Sequence, residues 1–396
     1  MSERSLVQVT LWNSPYLGNV MTSQLALAAT VRRELGLGTH FVLADGAAGQ
    51  PWLADLEAAG TTWSVLPPRR GWKAHLARAV RDHDAALVHT HFTAADLAGA
   101  RVATAAGIPC VWHVRTGFNG YPPRQRAKDL VKMRLVARRD VARIVAVSPW
   151  LGELVRRRGA PAERVEVVPN AIVLSRFDRM PSRAAARERF GLSEEASVVV
   201  ALGWWPEVKG VDVLLDALDE VLARRADVEL LLVGEQRMRD FLAARSPRDP
   251  SWLRRSGFVE DSAWLFAAGD LFVSASRHEG QSSAIGEAIG CGLPVVMSDI
   301  PGTAGWAAAP GVEIFPSEDA ELLATRLEEQ LATPPPERAA IADANRRWAR
   351  ETVGIETWCE RLCGLYRELL WSGRRPPISR RRGGRSPRAR RRCRRA

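Results

Sequence analysis

The sequence predicts an α/β protein of two domains, each a parallel sheet covered by helices on both faces. Three observations carry that expectation. Short apolar runs alternate with helical patterns of about 10–15 residues, the rhythm of parallel strands joined by helical crossovers. The alternation stops at a polar connection and restarts after Met180. The 396 residues are also more than one ordinary core organises, so two domains are the default.

The elements follow in order. In the first half, apolar runs place strands at Leu6–Leu11, Thr39–Leu43, Trp63–Leu66, Ala85–His89, Cys110–Val114, Ile144–Val147 and Val165–Val168. Helical patterns between them occupy Val20–Leu35, Trp52–Ala59, Ala74–Arg81 and Ala94–Ala106, with a basic helix around Gln125–Arg139. The stretch SRFDRMPSRAAARERFG reads as a polar connection. Beyond it, strands at Ser197–Leu202, Val228–Val233, Leu271–Ala275 and Leu293–Met297 alternate with helices at Val211–Ala223 and across the small-residue run after Gly280. A helix near Ala320–Leu331 completes the second half. Pro334, Pro335 and Pro336 break the chain before two last helices, about Glu337–Arg350 and Ile355–Leu370.

Composition narrows the class. Apolar residues make up 46% and charged residues 26% of the chain, the mix of a soluble globular protein. No apolar run reaches the roughly 18 residues that a membrane span needs, and MSERSLVQVTLWNS lacks a signal pattern, so a cytoplasmic location is expected. The five cysteines are scattered without a CxxC pair, which favours reduced thiols over a zinc site. The net charge of +11 belongs to the tail. Twelve arginines and no acid follow residue 373, so residues 1–373 carry −1. Nucleic-acid binding is therefore not expected of the folded body. The tail itself, residues 373–396, has the composition of a disordered segment that could grip an anionic polymer or membrane surface.

Three segments carry chemistry. In DLFVSASRHEGQSSAIGEAIGCGLPVVMSD (270–299) a strand meets a narrow polar loop. The loop opens a helix, with Glu279 expected in the loop and Glu287 about two turns into the helix. Gly280, Gln281, Ser282 and Ser283 mark the helix entrance, where free N–H groups can meet an anion or a sugar hydroxyl. In LGWWPEVKG (202–210) the loop from Gly203 to Lys209 joins a strand to a helix. Backbone N–H groups and an ammonium there suit a diphosphate. In LVHTHF (87–92), His89 and His91 point to one side of a strand end. The neighbouring IPCVWHVRTG (108–117) brings His113 and Arg115.

Together these segments resemble retaining glycosyltransferases of the GT-B fold, in particular glycosyltransferase family 4, whose signature is Glu-x7-Glu. The resemblance covers about residues 5–370 and implies two Rossmann-like domains facing a central cleft. The implied domains are an acceptor-side domain (1–175) and a nucleotide-sugar domain (176–345), with a terminal helix (346–372) crossing back to the first. It places Glu279 at the donor sugar, Glu287 on the nucleotide ribose, and Lys209 on the diphosphate. His113 and Arg115 fall near the reaction centre, and Gly18 in NSPYLGN (13–19) at the glycine loop facing donor and acceptor. The VSP (147–149) and VVPN (167–170) segments match family landmarks on the hinge side, with Asn170 fixing the turn into the linker. Trp204 stands where the family usually has an arginine, leaving Arg277 and Arg115 as candidates for a second positive charge.

The activity this implies is transfer of a sugar from a nucleotide-diphosphate sugar to an acceptor hydroxyl with retention, needing neither a cofactor nor a metal. The acceptor could be a glycan, a lipid-linked group or a small molecule. The basic helix around Gln125–Arg139 could rest on the inner face of a membrane. The alternatives are an epimerase or hydrolase of nucleotide sugars on this fold, or a catalytically weak protein that binds anionic polymers or membranes through its tail. A serine-hydrolase elbow at GQSSA (280–284) is excluded by order, because no histidine follows it. The Asp82-His83-Asp84 motif precedes a strand instead of ending one, the wrong place for a metal-binding Asp-x-Asp.

Overall fold

A computed structural model describes residues 4–68, 71–91, 93–116, 130, 132–246 and 249–371. The arginine-rich tail and residues 125–129 and 131 of the basic segment around Gln125–Arg139 lie outside them. Among the described residues the strands form two all-parallel sheets. The first holds β1 (Ser5–Thr10), β2 (Gly38–Leu43), β3 (Thr62–Val65), β4 (Ala85–His91), β5 (Cys110–Val114), β6 (Arg143–Ala146) and β7 (Val165–Val167), in the order β3-β2-β1-β4-β5-β6-β7. The second holds β8 (Ser197–Leu202), β9 (Val228–Val233), β10 (Leu253–Ser256), β11 (Leu271–Ser274), β12 (Val295–Asp299) and β13 (Val312–Pro316), in the order β10-β9-β8-β11-β12-β13. In each sheet the order reverses beside the first strand. That is the crevice where open parallel sheets present ligands at their carboxyl ends.

The inner strands are buried along their length because both faces are covered, and their polar residues, among them Gln8, His89, His91 and His113, are buried with them. Every residue of β1, β4 and β5 is buried, as parallel sheets require. The terminal helix Ile355–Trp371 leaves the second half of the chain and packs on the opening helix Gly18–Leu35. Its Trp358, Leu362 and Tyr366 are buried beside Leu27, Val31 and Leu87 of the first half. The two crossings of the chain lie side by side, since Ile172 N–H donates to Val353 O at 2.9 Å.

The polar connection contains order the sequence reading lacked. Arg183–Phe190 is a helix whose N-cap, Ser182, accepts from Ala185 N–H. Arg187 from this helix is buried and bonds Asp270 at 2.8 Å. The basic segment also differs from a solvated face. Lys132 is 4% exposed and pairs with buried Asp96 at 2.6 Å.

Candidate active site

The second half supplies the best-defined part of the site. Gly210 adopts φ +61°, and a Cβ there would run into the Ala275 carbonyl, so only glycine lets the 203–210 loop seat against the end of β11. That seating brings Lys209 Nζ to Glu279 Oε1 at 2.5 Å, with Ser276 Oγ donating to the same oxygen at 3.0 Å. Beside them the helix Ser283–Cys291 begins at Ser282, which makes no side-chain cap, and its first turn holds no acid. Lys209, Ser276, Ser282 and Ala284 line one small cavity of about 10 Å³. An ammonium and uncapped N–H groups thus border the same space, an arrangement suited to a diphosphate.

A second cavity of about 190 Å³ adjoins the first at Leu202 and Ala284. Glu287 lies at its wall, the fifth residue of its helix and so about one turn in, not two. The helix begins at Ser283 instead of Gly280 because the loop residues before it are held across the cleft. Glu287 Oε2 accepts from Ser262 Oγ at 2.8 Å, and Oε1 lies 3.5 Å from the Arg176 guanidinium. Burial pushes the Glu287 carboxyl above its ordinary range, against the opposing pull of Arg176 and Ser262. Trp204 and Phe258 line the same cavity, and Tyr16 from the first half stacks on Phe258 at 4.1 Å.

Arg277, a candidate for the second positive charge, does not line either cavity. Arg277 is bound by Asp212 at 2.7 Å and Glu318 at 2.5 Å and donates to Glu207 O. Its charge is already matched. Arg176, which the sequence reading passed over, is the arginine lining the 190 Å³ cavity. It stands in the linker, where no periodicity or motif distinguishes it.

The first half meets this site through Trp12 and Tyr16 at the cavity and through a close backbone approach at Gly280. A Cβ on Gly280 would collide with the Arg115 carbonyl, so the loop between β11 and the helix Ser283–Cys291 touches the end of β5 directly. Gln281 does not open to the cavities. Its Oε1 accepts from Asn170 N–H at 2.5 Å, and its carbonyl accepts from Asn170 Nδ2 at 3.3 Å. Gly18, at φ +57°, starts the opening helix and lines the cleft cavity with Tyr16. The next residue, Asn19, ties that helix to the linker through Ala171 O at 2.6 Å. Gly203 donates to Val233 O at 2.7 Å and holds the 203–210 loop on β9.

His113 and Arg115 are brought together, and neither lines the two cavities beside Lys209 and Glu287. Both point into a buried polar cluster with His89 and His91. Arg115 Nε donates to His91 Nδ1 at 3.3 Å and its Nη1 to Asn170 Oδ1 at 2.8 Å. Tyr366 of the terminal helix meets His89 Nδ1 at 2.5 Å. Burial lowers the basicity of all three histidines, and His89 falls to about 3. Among the described residues, His89, His91 and His113 are the group whose nitrogens approach one another closely enough to consider a metal ion.

Residues 46–176 match the model for Glycosyltransferase Family 4, and residues 196–333 match the model for Glycosyl transferases group 1. Similar curated proteins include a D-inositol 3-phosphate glycosyltransferase of Segniliparus rotundus, 29% identical over 54% of this chain and 51% of its own length. A mannosylfructose-phosphate synthase of Agrobacterium fabrum is 27% identical over 57% of each chain. The chain thus spans little more than half the length of these relatives. Among solved structures, a glycosyltransferase of Rickettsia africae superposes with a TM-score of 0.77 at 16% identity, covering 94% of this chain and all of that one. Anabaena HepE in complex with UDP-glucose gives 0.76 at 20% identity, covering 91% of this chain and 98% of its own. Sheet order, cleft and superposition define a GT-B fold of two Rossmann-like domains. Within that class the chain is similar to glycosyltransferase family 4 in its first half and to glycosyl transferases group 1 in its second.

Proposed function

We propose that this protein is a glycosyltransferase that moves a sugar from a nucleotide-diphosphate sugar to an acceptor hydroxyl, with retention and without a metal. The observation that carries the reading is the paired space at the cleft. Lys209 and the uncapped start of Ser283–Cys291 border one cavity, and Glu287 with Arg176 borders the next. A diphosphate would lie over the mouth of the first, which is itself only large enough for a water molecule, and a ribose donating its hydroxyls to Glu287 fits the second. As the bond to the sugar breaks, negative charge grows on the leaving phosphate. A fixed ammonium and backbone N–H groups stabilise that charge without reorganising.

Glu279 is neutralised by Lys209 and holds Ser276, which suits an orienting role better than that of a nucleophile. Same-face attack then follows, with the departing phosphate oxygen taking the acceptor proton. HepE, a relative in fold, is seen with UDP-glucose, and a UDP-hexose is the first donor to try.

The test is calorimetric binding of a panel of nucleotide sugars to the wild type and to Glu287→Ala, followed by product analysis. One donor bound by the wild type and lost in the variant, with an α-linked product from an α-linked donor, supports the reading. Release of free sugar and nucleotide at the same rate with and without every acceptor would make the protein a hydrolase instead.

A further inference from the structure

The buried cluster in the first half has a charge problem that its own residues leave unsolved. Arg115 is 8% exposed, and its hydrogen-bond partners among the described residues, His91 and Asn170, are both neutral. Its Nη2 has no partner. A buried guanidinium facing only neutral groups is costly, and buried ions are found paired.

The surrounding atoms share the same deficiency. Because Arg115 Nε donates to His91 Nδ1, that nitrogen is an acceptor and His91 Nε2 carries the hydrogen. Nε2 therefore donates to Gln8 Oε1 at 2.9 Å, which fixes the Gln8 amide and leaves its Nε2 as an unpartnered buried donor. His113 is 1% exposed and neither ring nitrogen is partnered. Its ring lies 5.0 Å from that of His91 and 6.4 Å from that of Trp358, whose indole Nε1 is also unpartnered. Arg115 Nη2, Gln8 Nε2 and Trp358 Nε1 can only donate.

We propose that Arg115, His113, Trp358 and Gln8 together bind one small monovalent anion, of the size of chloride, inside the first domain. A cation fits poorly despite the three histidines. His91 has no free lone pair, and Arg115 already places a positive charge against the cluster. An anion among them would supply the acceptor that donors on β1, β5 and the terminal helix lack. It also fixes the guanidinium that reaches through Asn170 to Gln281 and the loop before the helix Ser283–Cys291. This assignment is independent of the reaction proposed above.

The experiment compares thermal unfolding in chloride, bromide and gluconate at constant ionic strength, and locates bromide by its anomalous scattering in crystals of the full chain. The midpoint is expected to rise with chloride and bromide but not gluconate, as for a ligand bound only by the native state. A bromide peak is expected within hydrogen-bonding distance of Arg115 Nη2. Arg115→Gln should abolish the halide response. Trp358→Phe keeps the ring and loses one donor, so the half-saturating halide concentration should rise roughly fivefold, the worth of about one hydrogen bond. Equal responses to all three salts, or a halide response unchanged in Trp358→Phe, would overturn the proposal. So would a zinc or cobalt peak on the histidines in metal-soaked crystals.

Discussion

At the residue scale, Lys209 and Glu287 separate cleanly. Glu287→Ala removes a buried, oriented carboxylate, and donor binding should weaken by about 1.5–3 kcal/mol, the worth of hydrogen bonds to a charged group. Calorimetry reads this directly. Lys209→Ala should act on the reaction more than on the ground state, lowering kcat/KM by on the order of 3 kcal/mol while the donor Kd moves less. Equal losses in binding and rate would place the ammonium on the ground state instead. Glu287 also sets a pH dependence. Its folded-state affinity for a proton is raised above the ordinary value of 4.5 by burial, so its contribution to stability is greatest below 4.5 and is lost as pH rises through the higher folded value. Glu287→Gln should therefore gain on the wild type in unfolding midpoint as pH climbs from 4.5 toward neutrality. Parallel profiles would mean that the carboxylate is matched by Arg176 and Ser262.

At the element scale, the strands of the first domain carry histidines that stay neutral in the fold. His40 on β2 and His89 on β4 are both lowered from 6.5 to about 3, chiefly by burial. Groups so depressed contribute stability above 6.5 and withdraw it as pH falls toward 3, each by up to about 1.4 kcal/mol per pH unit. Urea unfolding in halide-free buffer at pH 7 and pH 5 should show a marked loss at the lower value, and a flat profile would refute the neutral cluster. Much of this layer was legible in the sequence. Cys110–Val114, Ser197–Leu202, Val228–Val233 and Ala320–Leu331 stand where the apolar patterns put them, because buried parallel strands and their crossover helices must be apolar. The edge strand Val312–Pro316 escaped because one covered face leaves VEIFP without a continuous apolar run. The helix Arg183–Phe190 escaped because its anchor is a buried arginine, which pattern reading takes for solvent-facing. In the cleft, motif residues such as Lys209 and Glu279 could be named from sequence. Arg176 and Phe258 could not, since only tertiary folding brings them to Glu287.

At the scale of the whole molecule, the two domains meet through a few polar joints. Arg115, Asn170 and Gln281 form a chain of hydrogen bonds from the first sheet to the loop before the helix Ser283–Cys291. Asn170→Ala removes its two side-chain bonds, to Arg115 and to the Gln281 carbonyl, while the backbone N–H bond to Gln281 Oε1 remains, at about 1–3 kcal/mol for the buried groups left unpaired. The expected outcome is a wider distribution of interdomain distances by small-angle scattering and weaker donor binding, with Glu287 itself untouched. Unchanged scattering would show that the crossings alone hold the domains in register. The terminal helix has a consequence for how the protein is made. The first domain covers its sheet with Ile355–Trp371, residues that leave the ribosome after the entire second domain. At typical elongation of about 5–20 residues per second, the first 175 residues wait on the order of 10–40 s with an apolar groove open along Leu27, Val31 and Leu87. The domain that is translated first is thus the one completed last, and a chaperone has that interval in which to shield the groove.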